Sequence, residues 1–574
     1  MIGGRIYSSA ALLILFLSLI SVRPLQPMLT AQRSYHSPSK QTTALHSSSE
    51  TADDSAPSTS SSSSPFSPPP PSPKGASRLN LKSLRPKRRK PPQTATSSID
   101  LIRSALYTSN STSSSAYSYT SVPTLSQFTF SEPSHPLLPL QKSHPTTSLI
   151  KSRVLSSSLP SSRSDNHHLS LSLEGGGMRG SVNAGMASSI ALLNLCNTFD
   201  SIYGSSAGSI IGAYMISRQM CVDVYSSILV GNRLFLQKPD LIKFAARASV
   251  NSKSKDNYEA TGMNISYVLK DVMSAQGLRP FDFDAFIANV EGQPLYVLSS
   301  GENFTQGIFG AEDFFDTYSE EQGVKYATRS KEDDPRGLDS GFFSCLASSM
   351  VVPGAGGKPI SLSKNGEEPK MYCDAFVYEA VPIRAPVYHS NATHVMILRT
   401  RPSAAPLKTV PGFYETKIGK YYFDQWGMED VAEWYAAGGQ QFRYLEEVAC
   451  TSEGLLGSEV KIPPMDVVYA RPNLTWEEVR SITDTTKWRS AYVLPLMVDQ
   501  DIAEMSPLEQ KEKVVVQGIR DGFVAGYEAM KDAAGATLPD GMTSSDLADL
   551  LFPFREDYDP RYDVKKPIKV INNY

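Results

Sequence analysis

The residues best suited to chemistry stand in two short glycine-rich runs. Gly204-Ser205-Ser206-Ala207-Gly208 is a G-x-S-x-G pattern centred on Ser206. A serine at the apex of a sharp strand-to-helix turn is held in strained backbone geometry, and small neighbours let strand and helix approach each other. Gly204 and Gly208 supply that smallness. The turn lifts the Ser206 hydroxyl clear of the sheet and sets it at a helix N-terminus, where unpaired N–H groups and the helix dipole favour developing negative charge. Ser205 and Ser209 fit a turn residue and a helix cap. The second run, Glu174-Gly-Gly-Gly-Met-Arg-Gly180, would expose backbone N–H groups to an anion after a strand. If the two loops follow adjacent parallel strands, their C-terminal ends lie side by side. Gly175, Gly176, Gly177, Arg179 and Gly180 then form an oxyanion hole beside Ser206, each donor being worth about 100- to 1,000-fold in rate.

A rival reading takes Gly175, Gly177 and Gly180 as G-x-G-x-x-G, a dinucleotide-binding fingerprint. It requires an acid about 20 residues further on, at the end of the second strand. Asp200 has that spacing but precedes the apolar Ile202-Tyr203.

The elements around the two runs are readable. Leu169 to Glu174 alternates apolar and polar like a strand, and Met178 to Leu195 reads as a helix. Phe199 to Tyr203 is a second apolar strand, and Ser209 to Ile216 a second helix. Strand, turn, helix repeated in this way predicts an α/β fold with a mainly parallel central sheet covered on both faces. Further strands are expected at Pro294–Ser299, Met371–Cys373, His394–Thr400 and Asp466–Ala470, and a long helix at Gln510–Ala533.

The pairing of G-G-G-x-R-G with G-x-S-x-G 24 positions after Gly180 resembles the patatin-like phospholipases. The resemblance covers about 168 to 400 and implies a three-layer α/β/α fold and a Ser–Asp dyad that cleaves acyl esters, without metal or cofactor. The family's third motif is Asp-Gly-Gly or Asp-Gly-Ala, preceded by a segment like A-S-S-A-x-P. Here Ala347-Ser-Ser-Met-Val-Val-Pro353 precedes Tyr372-Cys373-Asp374-Ala375. The resemblance therefore implies Asp374 as the base of Ser206. Ala375 departs from the family's glycine; were positive φ required there, alanine would be strained by about 1 kcal/mol or more. An aspartate is ordinarily a weak base, with a pKa of about 3.9, and burial raises its basicity. Arg179 then either holds the glycine loop or offsets substrate charge.

Histidine supplies the rival mechanism. None of the eight lies between Ser206 and Asp374, and only His389 and His394 follow. The order Ser…Asp…His of an α/β-hydrolase triad permits either. His394 heads an apolar strand, and His389 precedes a loop-like glycosylation sequon at Asn391. A noncatalytic module that kept the fold is a further alternative, suggested by Ala375.

Composition bounds the remainder. The net charge of −3 gives no overall pull toward nucleic acid or anionic membrane. Five cysteines without a C-x-x-C pair exclude the common zinc spacings and a disulfide framework; they read as buried small apolar residues. Ala10 to Val22 is an uncharged run of 13 residues after Arg5, short of the roughly 20 needed to span a bilayer. It fits a signal peptide, or an uncleaved signal anchor, over 1–22. Residues 23–165 are rich in Ser, Thr and Pro, and read as a disordered leader or linker resembling a plastid or mitochondrial transit segment. Arg85 to Lys90 is a basic cluster of nuclear-address type. The catalytic domain is expected over 166–420, with a helix-rich C-terminal extension over 421–574. Partners follow: a glycerolipid at a membrane or lipid-droplet surface, no nucleic acid, and an N-terminus directing the chain into the secretory pathway or an organelle, a plastid included. Two basic-apolar stretches, from Arg233 and from Ile242, and the aromatic segment Tyr414–Tyr444 are candidates for the lipid interface or the acyl pocket as well as for ordinary packing.

Overall fold

Leu169, Leu171 and Leu173 alternate with Ser170 and Ser172, and all five are buried in strand β1 (Leu169–Leu173). The serines avoid an unpaired polar face in part by bonding sideways, Ser170 Oγ to Ser201 Oγ at 2.9 Å on the neighbouring strand. A strand buried on both faces belongs at the centre of a sheet.

The computed structural model describes residues 137–250, 257–259, 261–274, 277–316, 338–364, 367–403, 405, 411–465 and 485–554. The expected segment 1–22, most of 23–165 and the strand candidate at 466–470 lie outside the described residues. Strands β2 (Ser201–Ser205), β3 (Leu295–Gly301), β4 (Gln306–Phe309), β5 (Ile360–Leu362), β6 (Lys370–Asp374), β7 (His394–Leu398), β8 (Glu459–Ile462) and β9 (Arg489–Leu496) join β1 in one sheet. Its order is β5-β6-β3-β2-β1-β7-β9-β8, with β4 also on β3. The five neighbours β3, β2, β1, β7 and β9 run parallel; β4 and β6 on β3, β5 on β6 and β8 on β9 are antiparallel. The mainly parallel α/β sheet expected from the sequence is present.

Helices α1 (Leu137–Ser143), α2 (Pro145–Leu155), α3 (Gly180–Leu192), α4 (Ala207–Ile216), α5 (Lys238–Ser249), α6 (Phe283–Val290), α7 (Leu338–Met350), α8 (Arg384–His389), α9 (Gly439–Gly454) and α10 (Glu512–Ala534) pack around it. Leu171, Ile202, Met396 and Leu494 face a core shared with α3, α4 and α10. Val395, Ile397 and Val493 face the opposite core with Val387 of α8 and Cys450 of α9. Helices thus cover both faces. Gly185 and Gly522 let α3 and α10 touch backbone to backbone: a Cβ at Gly522 would fall 2.0 Å from the Val182 carbonyl oxygen.

Part of the segment expected as a disordered linker is helical, since α1 and α2 fall within 137–155. The short apolar pair Leu149–Ile150 gives α2 little periodic signal, and polar anchors dock it instead. Arg153 is buried and reaches Asp165 and Asp200, each at 2.8 Å, and the Thr198 carbonyl at 2.7 Å. His144 caps α2 by accepting from Thr146 N–H at 3.0 Å, and its other ring nitrogen lies 2.9 Å from the Gly454 carbonyl oxygen. Beyond residue 420 the helix-rich extension also adds β8 and β9 to the central sheet.

Arg153→Leu removes five hydrogen bonds and leaves Asp165 without its cation, while Asp200 keeps Arg163, so it should lower unfolding free energy by about 3 kcal/mol. Leu155→Ser, on a side chain 76% exposed, should stay within about 0.5 kcal/mol. Denaturant midpoints of the two variants check the difference.

Candidate active site

Ser206 joins β2 to α4 with φ 52° and ψ −120°, outside the regions that L-residues populate freely. Such a conformation costs about 1–3 kcal/mol and persists only where the surroundings enforce it. They do so by closeness. A Cβ on Gly208 would sit 2.2 Å from the Leu173 carbonyl oxygen, and one on Gly204 2.4 Å from Ser209 Cα. The Ser206 N–H donates to Ser349 Oγ at 2.9 Å, and Ser349 Oγ lies 3.1 Å from Ser209 Oγ. Ser349, on α7, therefore clamps the elbow. It stands in the Ala347–Pro353 motif, which marked the segment without marking this contact.

Asp374 is the last residue of β6, opposite Ser299 of β3. The Ser206 hydroxyl donates to its Oδ2 at 2.7 Å, and the Phe376 N–H to its Oδ1 at 3.0 Å. The side chain is buried, at 1% exposure. Burial pushes its pKa up to about 7, against the pull of those two donors. Ala375 begins a right-handed 3-10 turn (Ala375–Val377) and packs with Tyr203, Leu298, Ile308 and Ala385. Its φ is not positive, so the strain feared from its lack of glycine does not arise.

The glycine loop reaches the same place. Gly175 N–H donates to the Ala380 carbonyl, Arg179 N–H to Gly176 and Gly180 N–H to Gly177 and Met178. Among the described residues, the N–H groups of Gly176 and Gly177 have no protein acceptor. Gly177 has φ 58°, a conformation that glycine adopts without strain. Of the five residues expected to supply oxyanion donors, these two keep backbone N–H groups free for a ligand. Gly180 packs instead, since a Cβ there would lie 2.5 Å from Tyr225 Oη. Arg179 bonds Glu504 at 2.6 Å, and Glu504 also takes Arg401 at 2.7 Å, which ties the loop to the segment leading into α10. Glu174 is buried beside them with Arg399 at 2.9 Å, Thr400 N–H at 2.6 Å and Tyr444 Oη at 3.1 Å. Burial works to raise its carboxyl, but Arg399 and Arg179 outweigh it and hold it below the usual range. Nothing in the spacing of the sequence marked these pairs.

Ser206, Asp374, Glu174, Gly175, Gly176, Gly177 and Arg179 open on one cavity of about 330 Å³. That is within the range of ligand sites, about 300–1,000 Å³. Leu241, Met263, Val352, Phe376, Phe413 and Leu508 form an apolar wall; Arg401, Gln440, Gln441, Tyr444 and Glu504 form a polar one. The aromatic segment 414–444 divides between roles. Tyr414 lines the cavity, whereas Tyr422, Phe423, Trp434 and Tyr435 are buried in the core.

The rival readings lose their residues. His389 Nδ1 bonds the Tyr203 hydroxyl at 2.9 Å and its ring meets Tyr296, away from the cavity lining. His394 stands opposite Leu169, at the start of β1, and Glu174 is five residues further on, about 16 Å at strand rise. Asp200 accepts from Leu169 N–H at 2.7 Å and pairs with Arg153 and Arg163. It too sits at the end of β1 remote from the glycine loop, so no ribose-binding acid is placed there. All five cysteines are buried and free.

Residues 171–387 match the family described as patatin-like phospholipase. No curated protein matches the chain. Over that segment the chain is similar to this family.

The raised Asp374 pKa carries a stability consequence. A carboxyl whose pKa rises on folding favours the fold fully below about pH 4, and that contribution is lost as pH rises through about 7. Asp374→Asn should therefore stabilise the fold at pH 8, by up to about 4 kcal/mol, and not at pH 4. Thermal midpoints at the two pH values check the sign.

Proposed function

We propose, on the premise that residues 171–387 are a patatin-like phospholipase domain, that the chain hydrolyses a fatty-acyl ester of a glycerolipid with Ser206 as nucleophile and Asp374 as base. The observation that carries this reading is the 2.7 Å hydrogen bond from the Ser206 hydroxyl to a buried carboxylate. A base is most effective when its pKa lies near working pH, and burial has moved Asp374 to about 7.

The steps follow from the geometry. Ser206 Oγ attacks the acyl carbonyl as its proton passes to Asp374 Oδ2. The oxyanion meets the free N–H groups of Gly176 and Gly177 and the N-terminus of α4. The tetrahedral intermediate collapses to acyl-Ser206, and Asp374 returns its proton to the departing alcohol. Water then attacks the acyl carbon as Asp374 takes its proton; collapse breaks the ester bond to Ser206 Oγ, Asp374 returns the proton to that oxygen, and the fatty acid leaves. No step calls for a metal or cofactor.

Support for work at a lipid surface comes from α5 and the loop before it. Arg233, Leu234, Lys238 and Lys243 are exposed on α5 and the loop before it, while Leu241 of α5 lines the cavity. Basic and apolar residues exposed together suit a lipid interface. Among the described residues no helix is long and apolar enough to cross a membrane. Delivery to the secretory pathway or an organelle is proposed from residues 1–22 alone, and a fluorescent fusion of 1–165 that stayed cytosolic would sink it.

Ser206→Ala should lose fluorophosphonate labelling and ester hydrolysis, and Asp374→Asn should lose activity by several powers of ten. His389→Ala and His394→Ala should stay within about tenfold of the parent, a packing effect of about 1.4 kcal/mol. The parent's kcat/KM should rise with pH through about 7 as Asp374 ionises, and the limb should survive both histidine substitutions. Abolition of turnover by either histidine change, in a folded protein, would assign a triad instead.

A further inference from the structure

One side chain in the cavity wall has no partner at either end. Gln441 lies on the first turn of α9, is 4% exposed and lines the cavity, yet neither its Oε1 nor its Nε2 makes a hydrogen bond. Its polar neighbours are occupied. The Tyr444 hydroxyl, one turn on, donates to Glu174 Oε1 at 3.1 Å. Arg401 holds Glu504 through two bonds, at 2.7 and 3.1 Å, and Arg179 donates to the same carboxylate. Arg179 Nε is unpartnered too, but it belongs to a cationic side chain already held by Glu504. Among the described residues of the polar lining, Gln441 is the carboxamide buried with neither end bonded, whereas its neighbour Gln440 donates to the Phe376 carbonyl at 3.5 Å.

We propose that Gln441 is a specificity-determining residue that selects glycerolipids whose headgroup carries uncharged hydroxyls. The inference rests on the acyl-hydrolase reading above and names the substrate class of that site. A carboxamide presents an acceptor at Oε1 and two donors at Nε2. A phosphate oxygen only accepts, so a phosphate-bearing headgroup pairs Nε2 and leaves Oε1 buried and unsatisfied. Hydrocarbon satisfies neither end. A hydroxyl both donates and accepts, so hydroxyls of a glycosyl group, or the free hydroxyl of a diacylglycerol, serve the carboxamide without leaving a partner orphaned. Sites built to bond a hydroxyl reject analogues lacking it, because their own buried polar groups are then left unpaired.

The test compares kcat/KM on dispersed dioleoyl lipids that share acyl chains: a monogalactosyl diacylglycerol, diacylglycerol and phosphatidylcholine. The parent should prefer at least one hydroxylated lipid over phosphatidylcholine by tenfold or more. Preference for diacylglycerol alone would assign the wall to the glycerol hydroxyl, and preference for the galactolipid to the sugar; either supports the proposal. Gln441→Leu should collapse that preference by about tenfold to a hundredfold, and Gln441→Asn, which keeps the carboxamide, should recover part of it. A preference for phosphatidylcholine in the parent, or a loss in Gln441→Leu that is equal on all three lipids, overturns the proposal. If no lipid is cleaved, the acyl-hydrolase reading fails, and binding decides Gln441 separately. A dihexanoyl monogalactosyl glycerol should then raise the thermal midpoint of the parent but not of Gln441→Leu, and no upshift in the parent overturns the headgroup assignment.

Discussion

A carboxylate buried without a cation in contact is the constraint on which this site depends. Asp374 has two neutral donors, the Ser206 hydroxyl and the Phe376 N–H, and no guanidinium or ammonium among its hydrogen-bond partners. Ionising it there is costly, and that cost is what makes it basic near neutral pH. A base made in this way is useful only if the nucleophile is held against it. The positive φ of Ser206, the absence of side chains at Gly204 and Gly208 and the Ser349 clamp all hold Ser206 Oγ in that one place. Strain in the backbone and desolvation of the carboxylate are two parts of the same arrangement.

The neighbouring carboxylate shows how specific the arrangement is. Glu174 lines the same cavity and is as deeply buried, yet its pKa is held low because Arg399 and Arg179 outweigh desolvation. It bonds Thr400 beyond β7 and Tyr444 on α9, so it fastens the end of β1 to both. One carboxyl has its pKa raised and the other lowered, and environment alone separates them, as the proposed division between base and structural anchor requires. The contrast also removes a simple kinetic criterion. An acid limb near neutrality would ordinarily suggest histidine, but under the proposed dyad an aspartate with a pKa raised to about 7 would give the same limb. Only substitution of His389 and His394 tells the two apart.

What the sequence made legible was what local chemistry dictates. The leucine–serine alternation of β1, the helix-forming runs after each glycine loop and the small residues around Ser206 all act within a few positions. Asp374 was reachable because a family motif marks it, although no local rule would single it out. The concern over Ala375 was a fair inference from residue type, and the fold answers it by placing that residue in a right-handed turn. The docking of α2 was illegible, because it depends on Arg153 meeting Asp200 across 47 positions rather than on an apolar stripe. Glu174 with Arg399, separated by 225 positions, was hidden for the same reason. β8 and β9 were missed because one is a short edge strand and the other contains Pro495.

The cavity is assembled from two parts of the chain with different tasks. Within the family match lie Ser206, Asp374, the glycine loop and the apolar residues Leu241, Met263 and Val352. Beyond its end at 387 lie Arg401, Phe413, Tyr414, Gln440, Gln441, Tyr444, Glu504 and Leu508. Ser206 and the glycine loop sit on turns after parallel strands and Asp374 ends the antiparallel β6, so hydrogen-bond registers of the sheet hold all three. Much of the wall that a headgroup would meet comes from loops and from α9, which the sheet does not constrain in the same way. Tyr444 and Arg401 couple the two parts, since each bonds a carboxylate that also anchors the glycine loop or its strand. A change in that wall can alter which lipid fits without touching Ser206 or Asp374. A change that breaks Arg401 from Glu504 would instead loosen the Arg179 loop and act on the reaction itself. On the proposed reading, substrate choice is separable from chemistry at Gln441 and inseparable from it at Arg401, because Gln441 has no bonded partner while Arg401 shares Glu504 with Arg179.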